Sequence, residues 1–391
     1  MTTMELGDDY QDIRQQVARL CEGFPAKYWR DLEDEGAEAS YPTAFIKELT
    51  EAGYLAALIP EEFGGAGLPL RGGAVILETI NRMGCNAAAG HAQMYTMGTV
   101  LRHGSDAQKQ KYLPQIASGA LRLQAFGVTE PTSGSDTTQI KTKAVREGDH
   151  YIVSGQKVWT SRAEHSDLML LLARTTPIEK VEKRTHGIST FLIDLREARK
   201  NGCTITPIDT MINHNTCEVF FDNVPIPADT LIGQEGRGFN YILDGMNAER
   251  CLTAAEAIGN GRFFIEKAVN YANERVVFGR PIGQNQGVQF PIAEAYAHLE
   301  AADLMVRKAT ALFDAGLPCG AEANAARLLS ANAAWACAEA CFTTHGGFAF
   351  AREYDVERKW RDARLARTAP ITPNLMLAYI GQHVLGMPKS Y

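Results

Sequence analysis

The sequence has no long apolar run and no excess of basic residues. In the middle of its 391 residues, the longest purely apolar stretch that we find runs from Leu168 to Ala173, whereas a membrane-spanning helix needs about 20 such residues. The net charge is −7, and no stripe of lysine and arginine suggests a nucleic-acid partner. The first ten residues lack the basic and then apolar pattern of a signal peptide. We therefore expect no membrane span, no nucleic-acid partner and a cytoplasmic location.

Cysteine pairs of the CxxC type are also missing, although the chain has eight cysteines. Cys337, Cys341 and His345 share one helical face by their spacing, which leaves a metal site as one interpretation. Thiols packed on a buried helix are the favoured interpretation, so we predict no metal site. Unpaired thiols fit a reducing compartment.

What the sequence does contain falls into three zones, and its length predicts two or three domains. Residues 1–124 have helical apolar spacing between loops rich in glycine and proline. Residues 125–235 hold short β-type runs bounded by turn residues, as in a small sandwich or barrel. Residues 236–391 are alanine-rich with long apolar stripes. The predicted fold is mainly α with a β domain: a helical N-terminal domain, a central β-barrel or sandwich domain and a C-terminal helical bundle.

Five segments follow one another along the chain. They are residues 128–136 (VTEPTSGSD), 155–161 (GQKVWTS), 218–227 (EVFFDNVPIP), 275–282 (RVVFGRPI) with Gln286, and 345–348 (HGGF) followed by 361–364 (RDAR). In this order they resemble the acyl-CoA dehydrogenase family over nearly the whole chain. One such motif would be weak evidence, but five in register are specific. The resemblance implies a C-terminal four-helix bundle, an FAD cofactor and a homotetramer.

The resemblance assigns three residues of the β zone to the flavin ring. Thr129 and Ser161 are similar to positions that hydrogen-bond the ring, and Trp159 to an aromatic residue that packs against it. Ser161 departs from the commoner threonine but keeps the hydroxyl. Read alone, the three would be a turn threonine, a strand serine and a core tryptophan; within the motifs we favour contact with the cofactor.

Further cofactor positions lie in the helical zone. Arg275, Phe278 and Gln286 resemble residues that bind the adenosine-diphosphate half of FAD from the neighbouring subunit, where a guanidinium can pair with pyrophosphate oxygens. Gly346 and Gly347 would let the backbone approach the cofactor closely, with helix–helix contact as the alternative. Two more residues fall where the family contacts FAD: Thr372 and Asn374.

The catalytic base requires a departure from the commoner family pattern. Most members carry a glutamate on a loop at the position of Pro370, and proline cannot accept a proton. A subset that includes isovaleryl-CoA and long-chain enzymes places the glutamate on a bundle helix directly before an arginine, which here is Glu249 before Arg250. Burial would raise the pKa of Glu249, as suits a general base. The alternative is a structural glutamate paired with Arg250.

Substrate contacts are predicted by resemblance alone. Ser135 matches a position near the pantetheine or pyrophosphate of the ligand, and Arg250 is assigned to substrate binding. His91, Tyr95 and Met97 lie near the end of the family's acyl pocket, and they indicate either a short, branched or functionalised chain or simple packing between helices. Pro370 also lacks the N–H that helps to polarise the thioester oxygen, so either Ile371 supplies a donor or polarisation rests on the flavin.

The predicted reaction is α,β-dehydrogenation of an acyl-CoA thioester to a trans-2-enoyl-CoA. It combines removal of the α proton with hydride transfer to flavin N5, and electrons then pass to an electron-transfer flavoprotein. Two alternatives stay open: a flavin monooxygenase or oxidase on the same fold, and a non-catalytic flavin- or acyl-CoA-binding relative. An acyl carrier protein thioester could replace the CoA thioester.

Overall fold

The computed structural model describes residues 9–389. Most of the N-terminal segment compared above with a signal peptide therefore lies outside the described residues. The helices are α1 (Gln11–Glu22), α2 (Ala26–Asp34), α3 (Gly36–Ala39), α4 (Thr43–Glu51), α5 (Leu70–Arg82), α6 (Ala88–His103), α7 (Asp106–Ala117), α8 (Leu195–Lys200), α9 (Gly238–Glu274), α10 (Gln286–Asp314), α11 (Gly320–His345), α12 (Val356–Ala366) and α13 (Pro373–Tyr379). In the described part of the chain, no helix is long and apolar enough to cross a membrane.

The strands lie between α7 and α9, apart from one short hairpin. They are β1 (Leu123–Gly127), β2 (Lys143–Glu147), β3 (His150–Ser161), β4 (Leu168–Arg174), β5 (Ile188–Asp194), β6 (Cys203–Pro207), β7 (Thr216–Pro227) and β8 (Leu231–Ile232), followed by the hairpin β9 (Val276–Val277) and β10 (Arg280–Pro281). This order of helices, sheet and helices confirms the predicted fold class. The domain boundaries at residues 124 and 235 remain a prediction.

The eight-stranded sheet has the order β6-β7-β3-β2-β4-β5-β8, with β1 paired in parallel to β4. β4 pairs with β1 and β5 and is buried along its whole length, which explains its continuous apolar sequence. β3 and β7 form a long antiparallel pair whose register shifts twice. One of these shifts, between Lys157 and Thr160, re-aims the strand where the candidate site begins.

Contacts divide the chain into two compact units. The first unites the segment up to Asp31, Pro69–Ala87 and the chain from Asn247 onward. Its helices share buried charges: Glu78 of α5 is 2% exposed and accepts from Arg14 at 2.8 Å and from Arg262 at 3.2 Å. A Cβ on Gly259 of α9 would lie 2.1 Å from the carbonyl oxygen of Glu78, so only glycine allows this approach.

The second unit contains Leu32–Leu68 and Ala88–Met246, which bring α4, α6 and α7 together with the sheet. Ser105 and Gln108 form a reciprocal capping box that starts α7. α6 packs on β1, where the Thr96 hydroxyl donates to the carbonyl of Leu123 at 2.7 Å. The helices predicted as one N-terminal zone thus contribute to two different cores.

Candidate active site

The sheet presents an exposed aromatic ring between buried neighbours at the end of β3. The N–H of Val158 donates to the carbonyl of Thr129 at 2.9 Å, which places Thr129 beside Trp159. Trp159 has a φ of 58° at the register shift and is 59% exposed, whereas Val158 and Thr160 are buried. Ser161 lies two residues further and is half-buried. Thr129 and Trp159 are therefore adjacent, and Ser161 continues the same strand end.

A buried ion pair that the sequence reasoning missed holds the Thr129 segment. Lys157 is fully buried, and its Nζ donates to Glu130 Oε1 at 2.8 Å and to the carbonyl of Val128 at 3.0 Å. The Glu130 carboxylate also accepts from the N–H groups of Lys141 at 2.6 Å and Thr142 at 2.9 Å. Burial lowers the pKa of Lys157 to about 8, although Glu130 counteracts it. Both charges lie within the quoted motifs, but nothing in their spacing shows that they meet.

Ser135 lies apart from this group, on an exposed loop. Glu130 and Ser133 pair through both backbone hydrogen bonds at 3.0 Å, and the Ser133 hydroxyl donates to the carbonyl of Asp136 at 2.7 Å. The turn presents Ser135 to solvent, where its hydroxyl can reach a ligand.

In the first unit, the residues predicted to hold the adenosine end lie on a hairpin and a helix start. Phe278, with φ 53°, turns the β9–β10 hairpin and is fully exposed. The N–H of Ile282 donates to the carbonyl of Arg275 at 2.9 Å and closes the hairpin. Gln286 begins α10 and is exposed. All three predicted side chains therefore reach solvent.

The glycine pair after α11 lies near this hairpin. Arg275 places its guanidinium carbon 5.6 Å from the ring centre of Phe348, which directly follows the pair. Gly346 has a φ of 58° that requires glycine, and a Cβ at Gly346 or Gly347 would meet no atom within 4 Å. The backbone is therefore open beside a cation, as the close approach of a phosphorylated ligand requires.

Thr372 and Asn374 are brought together by a helix cap. The Thr372 hydroxyl accepts from the N–H of Asn374 at 3.1 Å and starts α13. The preceding turn contains a cis peptide bond between Ala369 and Pro370. The Asn374 side chain is exposed and can contact a ligand.

Glu249 lies on α9 and is 7% exposed. Burial raises its pKa to about 7, although Arg250 and Arg327 counteract part of this effect. In the described part of the chain, no hydrogen bond or ion pair reaches its carboxylate. Arg250 instead donates to Asn247 Oδ1 at 3.0 Å. The alternative of a Glu249–Arg250 structural pair therefore lacks its hydrogen bond, and the carboxyl keeps its proton-accepting oxygens available.

Of the three residues predicted near the acyl pocket, Met97 is only 1% exposed and packs in a core cluster with Val100 and Leu113. His91 and Tyr95 lie 5.0 Å apart by ring centres, and Tyr95 meets Phe126 edge-on at 5.6 Å. Met97 is therefore a core packing residue, which was the alternative interpretation for His91, Tyr95 and Met97.

The cysteines are buried and unpaired. Cys341 Sγ lies 3.6 Å from His345 Nδ1, and Cys337 Sγ contacts the carbonyl of Ala295 at 3.7 Å. Among residues 9–389, no group of three or more potential ligands could hold a metal ion.

Comparison with family profiles gives three matches that together span almost the whole chain. Residues 7–120 match "Acyl-CoA dehydrogenase, N-terminal domain", residues 125–224 match "Acyl-CoA dehydrogenase, middle domain", and residues 236–385 match "Acyl-CoA dehydrogenase, C-terminal domain".

Individual proteins agree with these profiles. Acyl-CoA dehydrogenase fadE12 of Mycobacterium bovis is 32% identical over 98% of both chains. The crystal structure of acyl-CoA dehydrogenase from Geobacillus kaustophilus superposes with a TM-score of 0.90 at 27% identity, covering 98% of this chain and 100% of that one. The FAD complex of PigA gives a TM-score of 0.89 at 25% identity, with 99% and 100% coverage.

Proposed function

This chain belongs to the acyl-CoA dehydrogenase family, and on that premise we propose that it oxidises an acyl-CoA to a trans-2-enoyl-CoA with Glu249 as the catalytic base. The family is FAD-dependent, and the chain is an enzyme of this family. When bound, FAD supplies the acceptor for the β-hydrogen, which leaves with its electron pair.

The residues of each compact unit suit a part of this cofactor. In the second unit, Trp159 exposes its indole as a flat surface, and the neighbouring residues Thr129 and Ser161 carry hydroxyls that can bond ring oxygen and nitrogen atoms. In the first unit, Arg275 and the open Gly346–Gly347 backbone suit a pyrophosphate. We assign Phe278 and Gln286 to the FAD of a neighbouring subunit, and Thr372 and Asn374 to additional cofactor contacts.

The observation that carries the proposal is that the Glu249 carboxyl is buried and, among the described residues, has no hydrogen-bond or ion-pair partner. A carboxyl with its pKa raised to about 7 is substantially ionised at neutral pH, yet it is basic enough to remove a weakly acidic proton. Its burial keeps water from competing for the carboxylate. Pro370, at the position of the commoner loop base, has no proton-accepting side chain, so Glu249 takes that role here.

The thioester oxygen needs polarisation as the α proton leaves. Pro370 has no N–H, so we assign the polarisation either to the N–H of Ile371 or to the flavin itself. Arg250, whose buried Nε has no partner among the described residues, and Ser135 are assigned to binding the thioester ligand. An electron-transfer flavoprotein is the proposed electron acceptor, and a homotetramer is the proposed assembly.

The proposal is tested by anaerobic bleaching of bound flavin with acyl-CoAs of varied length and branching. Glu249→Gln preserves size and removes the base, so the flavin-reduction rate constant is expected to fall roughly 10²–10⁴-fold while FAD remains bound. Undiminished reduction in this variant would exclude Glu249 as the base. Rapid reoxidation by air with the enoyl product bound would favour an oxidase instead.

A further inference from the structure

Arg327 is a fully buried cation that none of the assignments above uses. It lies on α11, is 1% exposed and is the largest fully buried side chain among the described residues. A buried guanidinium is costly unless acceptors surround it. Its neighbours therefore indicate what it does.

One guanidinium nitrogen of Arg327 holds the turn between α12 and α13. Its Nη2 donates to the carbonyl of Ala366, the last residue of α12, and to the carbonyl of Ala369 at 2.7 Å. Ala369 directly precedes Pro370, and the same turn leads to the Thr372 cap of α13. Arg327 thus fixes residues 366–369 from their buried side.

The other edge of the guanidinium has unused donors. Nε and Nη1 are buried and have no hydrogen-bond partner among residues 9–389. Burial lowers the pKa of Arg327 to about 10, and two carboxylates of α9, those of Glu256 and Glu249, counteract this effect. These residues are seven positions apart and therefore share one face of the helix. The side chain with these unpartnered donors is therefore the cation of α11 that lowers the pKa of Glu249.

Few other charged groups act on Glu249 in the described part of the chain. Arg250, on the same helix, is the other cation that lowers its pKa. Burial lowers the pKa of Arg250, and the carboxyl of Glu249, the phenol of Tyr379 and the thiols of Cys251 and Cys319 counteract this effect. Among the described residues, Arg327 is therefore the cation from outside α9 that lowers the pKa of Glu249.

We propose that Arg327 is a positioning residue for the reaction: it stabilises the ionised carboxylate of Glu249 and holds the turn at Pro370 in place. The inference rests on the proposed role of Glu249. In a dry interior a cation favours the ionised form of a nearby carboxyl strongly, because little water screens the two charges. Arg327 thereby offsets part of the burial effect and keeps the base ionised near neutral pH.

The test is the pH profile of anaerobic flavin reduction by acyl-CoA. Ionised Glu249 is the active form, so the rate falls on the acid side of its pKa. Arg327→Gln removes the cation, and we expect the acid limb to move to higher pH by about one unit. Arg327→Lys retains a positive charge and is expected to restore most of the shift, whereas a merely structural role would give no such rescue.

Glu256→Gln is the matched variant that keeps Arg327 in place. Without the Glu256 charge, Glu249 is the remaining one of the two α9 carboxylates that interact with Arg327. The acid limb of the pH profile is therefore expected to move to lower pH. If Arg327→Gln does not fold, Arg327→Met takes its place, because loss of the Glu256 charge by itself would also lower the pKa of Glu249. An unmoved or upward-shifted limb in Glu256→Gln, or a wild-type limb in Arg327→Gln, would overturn the proposal.

Infrared difference spectroscopy provides a readout that does not depend on turnover. The carboxyl band of Glu249, identified by its loss in Glu249→Gln, should titrate at higher pH in Arg327→Gln. If Glu249→Gln reduces flavin normally, the assigned base is wrong, yet this titration still tests the Arg327–Glu249 coupling. If Glu249→Gln is inactive but the Glu249 band of Arg327→Gln titrates as in the wild type, Glu249 is the base and only the proposed role of Arg327 is wrong.

Discussion

At the residue scale, burial changes the proton affinity of one carboxyl group, that of Glu249. Glu249 lies on α9, and the structure leaves it 7% exposed. Desolvation is the main reason that its pKa rises to about 7, against the attraction of two arginines. Burial therefore makes Glu249 suited to accept a proton, and the same burial makes its ionised form destabilise the fold.

Glu249→Gln is predicted to increase the free energy of unfolding at high pH. The unfolded carboxyl ionises near its ordinary pKa of 4.5 and the folded one near 7. The folded state thus binds more protons between these values, and wild-type stability falls as pH rises through that window. The glutamine variant lacks this loss and should be more stable by about 1–3 kcal/mol at pH 8, with no gain at pH 4.

Chemical denaturation of the two proteins across pH, with FAD saturating, measures this difference. Glu218→Gln is a suitable control, because Glu218 on β7 is half-buried within the sheet domain rather than on α9. A Glu249→Gln variant that is less stable than the wild type at pH 8 would show that the carboxylate makes a favourable structural contact.

At the element scale, apolar periodicity predicted where helices and strands occur but not which charges meet between them. The apolar run at Leu168 became β4, and the alanine-rich segment after residue 320 became α11. α9 ends at Glu274, and the apolar Val276 opens a hairpin instead of extending the helix. Periodicity reports which face of an element is apolar, whereas helix ends and buried ion pairs depend on distant parts of the chain.

The buried Lys157–Glu130 ion pair is an example of a contact that apolar periodicity does not predict. It leads to a testable prediction for β3. Lys157→Met removes the cation and leaves the Glu130 carboxylate buried beside the N–H groups of Lys141 and Thr142. Breaking a buried pair in this way costs about 3–5 kcal/mol, so the variant should unfold at clearly lower denaturant concentration. Because Lys157 also holds the carbonyl of Val128 beside Thr129, FAD should bind more weakly.

Lys143→Met is the matched control, since Lys143 is exposed on the neighbouring strand β2. Its stability should change by less than about 0.5 kcal/mol. Equal effects of the two substitutions, by denaturation and by FAD titration, would mean that the buried pair does not hold the Thr129 segment.

At the scale of the whole molecule, the features that indicate function are spread over both compact units. The five motifs that resemble the family occur in one order from Val128 to Arg364, and the family profiles cover residues 7–385 with short gaps. The fold class and the cofactor were therefore predictable from the sequence. The assignment of the N-terminal helices to two units was not, because an apolar stripe does not identify the element that covers it.

The most direct test of the central claim is exchange of the α proton of a bound acyl-CoA with solvent deuterium, followed by NMR under anaerobic conditions. The wild-type enzyme should catalyse this exchange, with a rate that rises with pH through about 7 as Glu249 ionises. Glu249→Gln, with FAD and ligand bound, should lose the exchange. Continued exchange at the wild-type rate in that variant would show that another group removes the proton and would contradict the account.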